Sequence, residues 1–363
     1  MRRALTLAAA LALASVLAGC AVAGGGSSPT PVVTATGSLE GAVPLPDPAH
    51  ATGPVTAAIP DGALVPIDDP AAPSLPVEVV SHDPGGDRQV EVTDASRLLA
   101  LDISGSLAAT VWGLGLGDLL VGRDMSTTFA QAADLPVVTS GAHAIDAESV
   151  LALRPTLLLT DGTIGPRDVV EQLRASGVTV VFLPAEPSLA GASDLARVVG
   201  EALGVPESGA RLAERIDQQV AAIRAQIDAL APPVDRPRIV FLYLRGDAGV
   251  YYLFGEGSGA DDLIRALHGV DVAAELDWQG ERPMTDEALV AAAPDVILVM
   301  TDGLASVGGI DGLLAAKPAV ALTPAGERRR IIDMADGVVL GFGPRSPEVL
   351  EALARALYTE PGS

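Results

Sequence analysis

One stretch divides this chain. From about residue 206 to 230, Ala210, Leu212, Ile216, Val220, Ile223 and Ile227 recur at helical spacing over an Arg/Glu/Gln surface, the pattern of a long amphipathic helix. Pro232 and Pro233 stop it, since proline cannot continue the helical hydrogen-bond ladder. On its N-terminal side, residues 97–103 read as a short apolar strand and 106–116 as a helix ending at Gly117. Strands at 119–122, 156–159 and 178–183 follow, with helices at 149–153 and 167–176 between them. On its C-terminal side a second such pattern begins at Arg238. It runs through helices at 261–267 and 286–292, a strand at 296–300, a further helix and strand, and a last helix at 346–358. Short strands alternating with helices predict parallel sheets covered on both faces. One device occurs once per half: Asp146-Ala147-Glu148-Ser149 leads to Pro155 and a strand, and Thr285-Asp286-Glu287-Ala288 leads to Pro294 and a strand. The expected organisation is an N-terminal α/β lobe at 74–205, a connecting helix at 206–231 and a C-terminal α/β lobe at 236–361.

The first residues read as an export signal. Arg2 and Arg3 precede an apolar run from Ala4 to Leu17, too short for a stable membrane span. It ends Leu17-Ala18-Gly19-Cys20, a tetrapeptide that resembles the bacterial lipobox, so residues 1–19 are expected to be cut away and Cys20 lipidated. Two acyl chains hold a domain at a membrane where one is marginal. Cys20 is the only cysteine, which excludes an intrachain disulfide and a thiolate metal cluster. Residues 20–73 are Gly-, Ser- and Pro-rich without a period, and read as a disordered tether with His50 solvated in it. Residues 75–94 read as a hairpin with His82 at its bend. The formal charge is −23, and removal of Arg2 and Arg3 leaves 21 basic against 46 acidic residues, or −25. That excludes nucleic acid as a partner, because phosphate binding needs a basic face.

The chemistry concentrates at VFLYLRGDAGVYYLFG, residues 240–255. After a buried strand, Tyr243 and Arg245 flank Leu244, and alternate strand residues share a face. A cation beside a phenol favours the phenolate, and tyrosine is a known axial ligand of haem iron. The plainer alternative is a core tyrosine with a solvated arginine. Tyr251 and Tyr252 must point to opposite faces, so at most one faces a cleft, and both read as packing residues. His143, in a loop before a helix, is either a ligand or a loop histidine bonding backbone. Met300 ends a strand, where plain core is the alternative. Glu148 and Glu287 sit in first helical turns, where a carboxylate complements the helix dipole. GEGSG at 255–259 lacks the lysine-serine ending of a phosphate loop, and neither HExxH nor GxSxG occurs, so no catalytic cofactor and no enzyme activity is expected.

Three segments, SLAATVWGLGLGDLLVGRD, SGAHAIDAESVLALRPTLLL and FLYLRGDAGVYYLFGEGSGADDLI, carry a resemblance. The chain resembles the substrate-binding lipoproteins of bacterial ABC importers for haem, ferric siderophores and cobalamin, and most of all their actinobacterial hemin-binding members. The resemblance spans roughly residues 75–356. It implies the class III periplasmic-binding-protein fold: two Rossmann-like α/β lobes joined by one long helix, with the ligand between them. It further implies that His143 and Tyr243 ligate the iron of haem b (ferric hemin), with Arg245 hydrogen-bonding the phenol oxygen and Met300 near the porphyrin. Glu148 and Glu287 would dock on an ABC permease served by its ATPase. The expected partners are haem, that permease and the membrane reached through the lipid, for a monomer on the extracytoplasmic face. A ferric siderophore or cobalamin is the alternative cargo. Some members carry a further tyrosine near the position of Trp278; this chain has none there.

Overall fold

The computed structural model describes residues 32–60, 64–246 and 251–360. The export signal, Cys20 and the first part of the expected tether lie outside the described residues.

The first lobe is built on three parallel strands in the order Leu98–Leu101, Leu157–Thr160, Thr179–Phe182. Every residue of the first two is buried, as a parallel sheet covered on both faces requires. The hairpin Val77–Ser81 and Arg88–Val92 docks beside the outer strand. There the Phe182 amide donates to Ser81 Oγ at 2.9 Å, and the His82 amide donates to the Phe182 carbonyl at 2.8 Å.

Helix Pro206–Leu230 forms as its periodicity predicts, 25 residues long, or about 37 Å at the helical rise. It buries Leu212, Ala213, Ile216, Val220 and Ile227. Helix Leu189–Ala202 crosses it closely where glycine meets glycine: a Cβ on Gly200 would lie 2.7 Å from the Gly209 Cα.

The second lobe carries an eight-stranded sheet. Its order runs Val33–Ala35, Val55–Ala57, Ile331–Met334, Val296–Met300, Arg238–Leu244, Tyr251–Phe254, Glu281–Pro283, with Val270–Asp271 alongside Arg238 and Ile239. The first five strands are mutually parallel and the last two antiparallel. Alternation along Arg238–Leu244 is clean. Ile239, Phe241 and Tyr243 face one core, and Val240, Leu242 and Leu244 face another. The first of these cores is continuous between the lobes, joining Leu107 and Val111 of one to Ile332 and Val349 of the other.

The two leading strands correct the tether expectation for its described part. Val55 pairs with Ile332 and Ala57 with Met334, and Leu39, Val55, Ala57, Leu64 and Ile67 are buried. Strands of three residues are too short to show a period, and their apolar partners are supplied by a sheet edge nearly 300 residues away. Composition therefore understated what this segment can bury. Beyond the sheet the chain crosses to the first lobe beside the connecting helix. Arg215 donates to the carbonyls of Val65 and Pro66 at 2.8 and 2.9 Å, and Arg211 to those of Asp68 and Asp69 at 3.0 Å each. The Ile67 amide then donates to the Gly113 carbonyl at 2.8 Å.

Candidate ligand cleft

His143 closes the turn Gly141–His143 at the tip of a two-residue hairpin, Thr139–Ser140 paired with Ala144–Ile145. Its φ of +56° is in the left-handed region, so the turn rather than a regular element sets where the ring goes. The half-buried side chain places Nδ1 3.4 Å from Ser126 Oγ. Among the described residues Nε2 has no hydrogen-bond partner, which leaves a ring nitrogen for an external group.

Ser126 is held by a buried acidic network. Asp124 Oδ1 accepts from the Thr127 amide at 2.7 Å and its hydroxyl at 2.9 Å. Asp124 Oδ2 accepts from the Asp102 amide at 3.2 Å. Asp102 in turn accepts from Ser104 Oγ at 2.6 Å and from the amides of Ser106 and Leu107 at 2.9 and 3.1 Å, capping helix Ser106–Gly113. Burial, then the charges of Asp124 and Asp161, push the Asp102 carboxyl up to about 7, and burial raises Asp124 as well. Gly105, at φ +72°, lets the Ser126 carbonyl approach; a Cβ there would meet that oxygen at 2.8 Å.

Tyr243 stands on the opposite lobe in a row of rings. Its ring stacks on Phe254 with centroids 5.9 Å apart, and meets the edge of Tyr252 at 6.4 Å. Phe254 stacks in turn on Phe241 at 5.3 Å. The antiparallel register sets Tyr243 opposite Tyr252, which puts both on one face. Tyr252 is exposed there, so it shares the face of Tyr243 instead of serving as interior packing. Tyr251 does pack: it is buried on the other side, donates to Asp286 Oδ1 at 2.8 Å, and has its phenol pKa raised by burial and by that carboxylate. Trp278 is on that side too, its Nε1 donating to the Leu253 carbonyl at 3.2 Å.

Met300, half-buried at its strand end, packs on the same core as Tyr243, Val338 and Leu340. Arg245 departs from expectation. The strand closes at Leu244, so alternation no longer governs the next residue, and no hydrogen bond joins the exposed Arg245 to Tyr243 among the described residues. Glu148 and Glu287 are exposed in the first turns of Ala147–Ala152 and Asp286–Ala292, one per lobe. Each helix is capped alike, by Asp146 Oδ1 from the Ser149 amide at 2.9 Å and by Thr285 Oγ1 from the Ala288 amide at 3.3 Å.

Between the lobes lies a small pocket of ≈ 20 Å³, lined by Ser104, Ser126 and Thr128 from the first and Gly337, Val338 and Arg345 from the second. Ser126 is the neighbour of His143, and Val338 packs on the core of Tyr243. From sequence Tyr252 reads as packing, and Ser126 and the Asp102–Asp124 pair are not singled out. Only Tyr252 left a signal there, since a hairpin pairing 243 with 252 places both on one side.

Two covered sheets, a long helix between them and a cleft where they meet define a binding protein that presents its ligand between two lobes. The family model described as Periplasmic binding protein matches residues 103–337, and the chain belongs to that family. It is similar to the solved structure of the heme binding protein HmuT: 42% identity over 86% of this chain and 100% of that one, with a TM-score of 0.80. HmuT structures with a single arginine, histidine or tyrosine replaced by alanine match at 40%, 41% and 40% identity. A cobalamin-binding protein of Halobacterium salinarum is 27% identical over 84% of this chain and 82% of its own length. The uncharacterized ABC transporter substrate-binding lipoprotein YvrC of Bacillus subtilis is 27% identical over 69% and 76% respectively.

Proposed function

We propose that this protein is an extracytoplasmic haem receptor that takes up ferric hemin between its lobes and delivers it to an ABC importer. One observation carries the reading most: each lobe offers one side chain fit to ligate haem iron, a histidine with Nε2 unpartnered and a tyrosine in an aromatic row. A flat apolar ring suits a cleft with an aromatic wall. The phenolate favours ferric over ferrous iron, the harder ion gaining more from an anionic oxygen. In this reading Arg245 hydrogen-bonds the phenolate oxygen and Met300 flanks the porphyrin. HmuT, the more similar relative, is named for heme, which supports this cargo over cobalamin.

In this reading Glu148 and Glu287 dock on arginines of the permease, which its ATPase drives. Cys20 carries the lipid that holds a monomeric receptor at the membrane. Titration of the protein with hemin, cobalamin and a ferric siderophore, followed by Trp112 and Trp278 fluorescence, tests the cargo. Hemin is expected to bind tightest, and tighter binding of cobalamin contradicts the reading. Charge reversal at Glu148 and Glu287 leaves that titration unchanged and ends capture by the permease; undiminished transport removes them from the docking surface.

A further inference from the structure

The interlobe pocket contains a cation that iron ligation leaves unused. Of the described residues lining it, Arg345 alone is charged, and Ser104, Ser106, Ser126, Thr127 and Thr128 add hydroxyls. The Arg345 side chain is 17% exposed, and its Nε lies 3.4 Å from Glu348 Oε2. Its two terminal nitrogens make no hydrogen bond among the described residues.

The other polar groups of the pocket are mostly committed. The amides that open helix Ser106–Gly113 donate to Asp102, as does the Ser104 hydroxyl, and the Thr127 hydroxyl donates to Asp124. Thr128 lines the same pocket as Arg345, and so does Ser126, whose hydroxyl also contacts His143. A partly desolvated guanidinium with two free donor nitrogens is matched by a carboxylate, which it can engage bidentately. Ser126 touches His143, so the pocket adjoins the place where iron is expected.

We propose that Arg345, with Ser126 and Thr128, binds a carboxylate carried on the rim of a tetrapyrrole, a haem propionate. This rests on the haem reading above and adds the orientation of the ring within the cleft.

Soret titrations of the full chain with hemin and with hemin dimethyl ester test it. Arg345→Gln is expected to weaken hemin roughly tenfold or more, the scale of a charge-assisted hydrogen bond, and to leave ester binding as in the wild type. Arg345→Lys recovers part of the hemin loss. Equal losses for acid and ester make Arg345 a structural residue and overturn the proposal, as does wild-type hemin affinity in Arg345→Gln. If the unmodified chain binds neither form, the haem reading falls first and takes this proposal with it.

Discussion

Tyr243 stands on a regular strand within an eight-stranded sheet, whereas His143 ends a three-residue turn beside a sheet of three strands. The second lobe positions its side chain by strand alternation and by a row of stacked rings. The first lobe positions its own through the neighbouring Ser126 loop, fixed by buried carboxylates at a protonation cost. Packing of the first kind is insensitive to pH. The second kind is not, because burial disfavours charged carboxylates. In the proposed haem site the lobes offer two differently supported groups, and each support can be attacked separately.

The largest effect is expected from the segment that completes the second lobe's sheet. Deleting residues 32–58 removes Leu39 and Val55, each worth ~1.5–3 kcal/mol when fully buried, so unfolding should become easier by roughly 3–6 kcal/mol. Urea denaturation reads this directly. Unchanged stability would return the segment to the status of a tether and leave the second lobe no better braced than the first.

A smaller effect probes the acidic support of the first lobe. A carboxyl whose folded-state pKa lies above its unfolded value keeps its proton longer when folded. Its contribution to stability is therefore complete below the unfolded value and is lost as pH rises towards the folded one. For Asp102 that window runs from ~4 to about 7. Asp124→Asn removes a neighbouring charge and lowers the Asp102 pKa. The stability of the variant relative to wild type should rise across the window by about 1 kcal/mol, the equivalent of somewhat under one pKa unit. A difference that stays flat from pH 4 to 8 means the pair imposes no such cost.

What the chain revealed in advance follows the same division. Regular elements were legible: the helices Pro206–Leu230 and Ser346–Tyr358 and the strand Val296–Met300 lie where periodicity puts them. Tyr243 was legible for the same reason. The direction of Arg245 was not legible from the strand pattern, because the strand ends at Leu244 and alternation no longer sets where the next side chain points. The Asp102–Asp124 contact closes across 22 residues that include helix Ser106–Gly113, and no local pattern announces such a pairing. Residues 33–57 were opaque because their partners come from the far end of the sequence.

Under the proposed function, His143 and Tyr243 meet one iron atom from the two lobes. Absorption spectra of the hemin-loaded protein, beside those of Tyr243→Ala and His143→Ala, test it most directly. Both variants should shift the Soret band. Tyr243→Ala should weaken hemin beyond the roughly 10- to 100-fold typical of outer-shell changes, and His143→Ala should weaken it less. Wild-type spectra and affinities in both variants would contradict the claim.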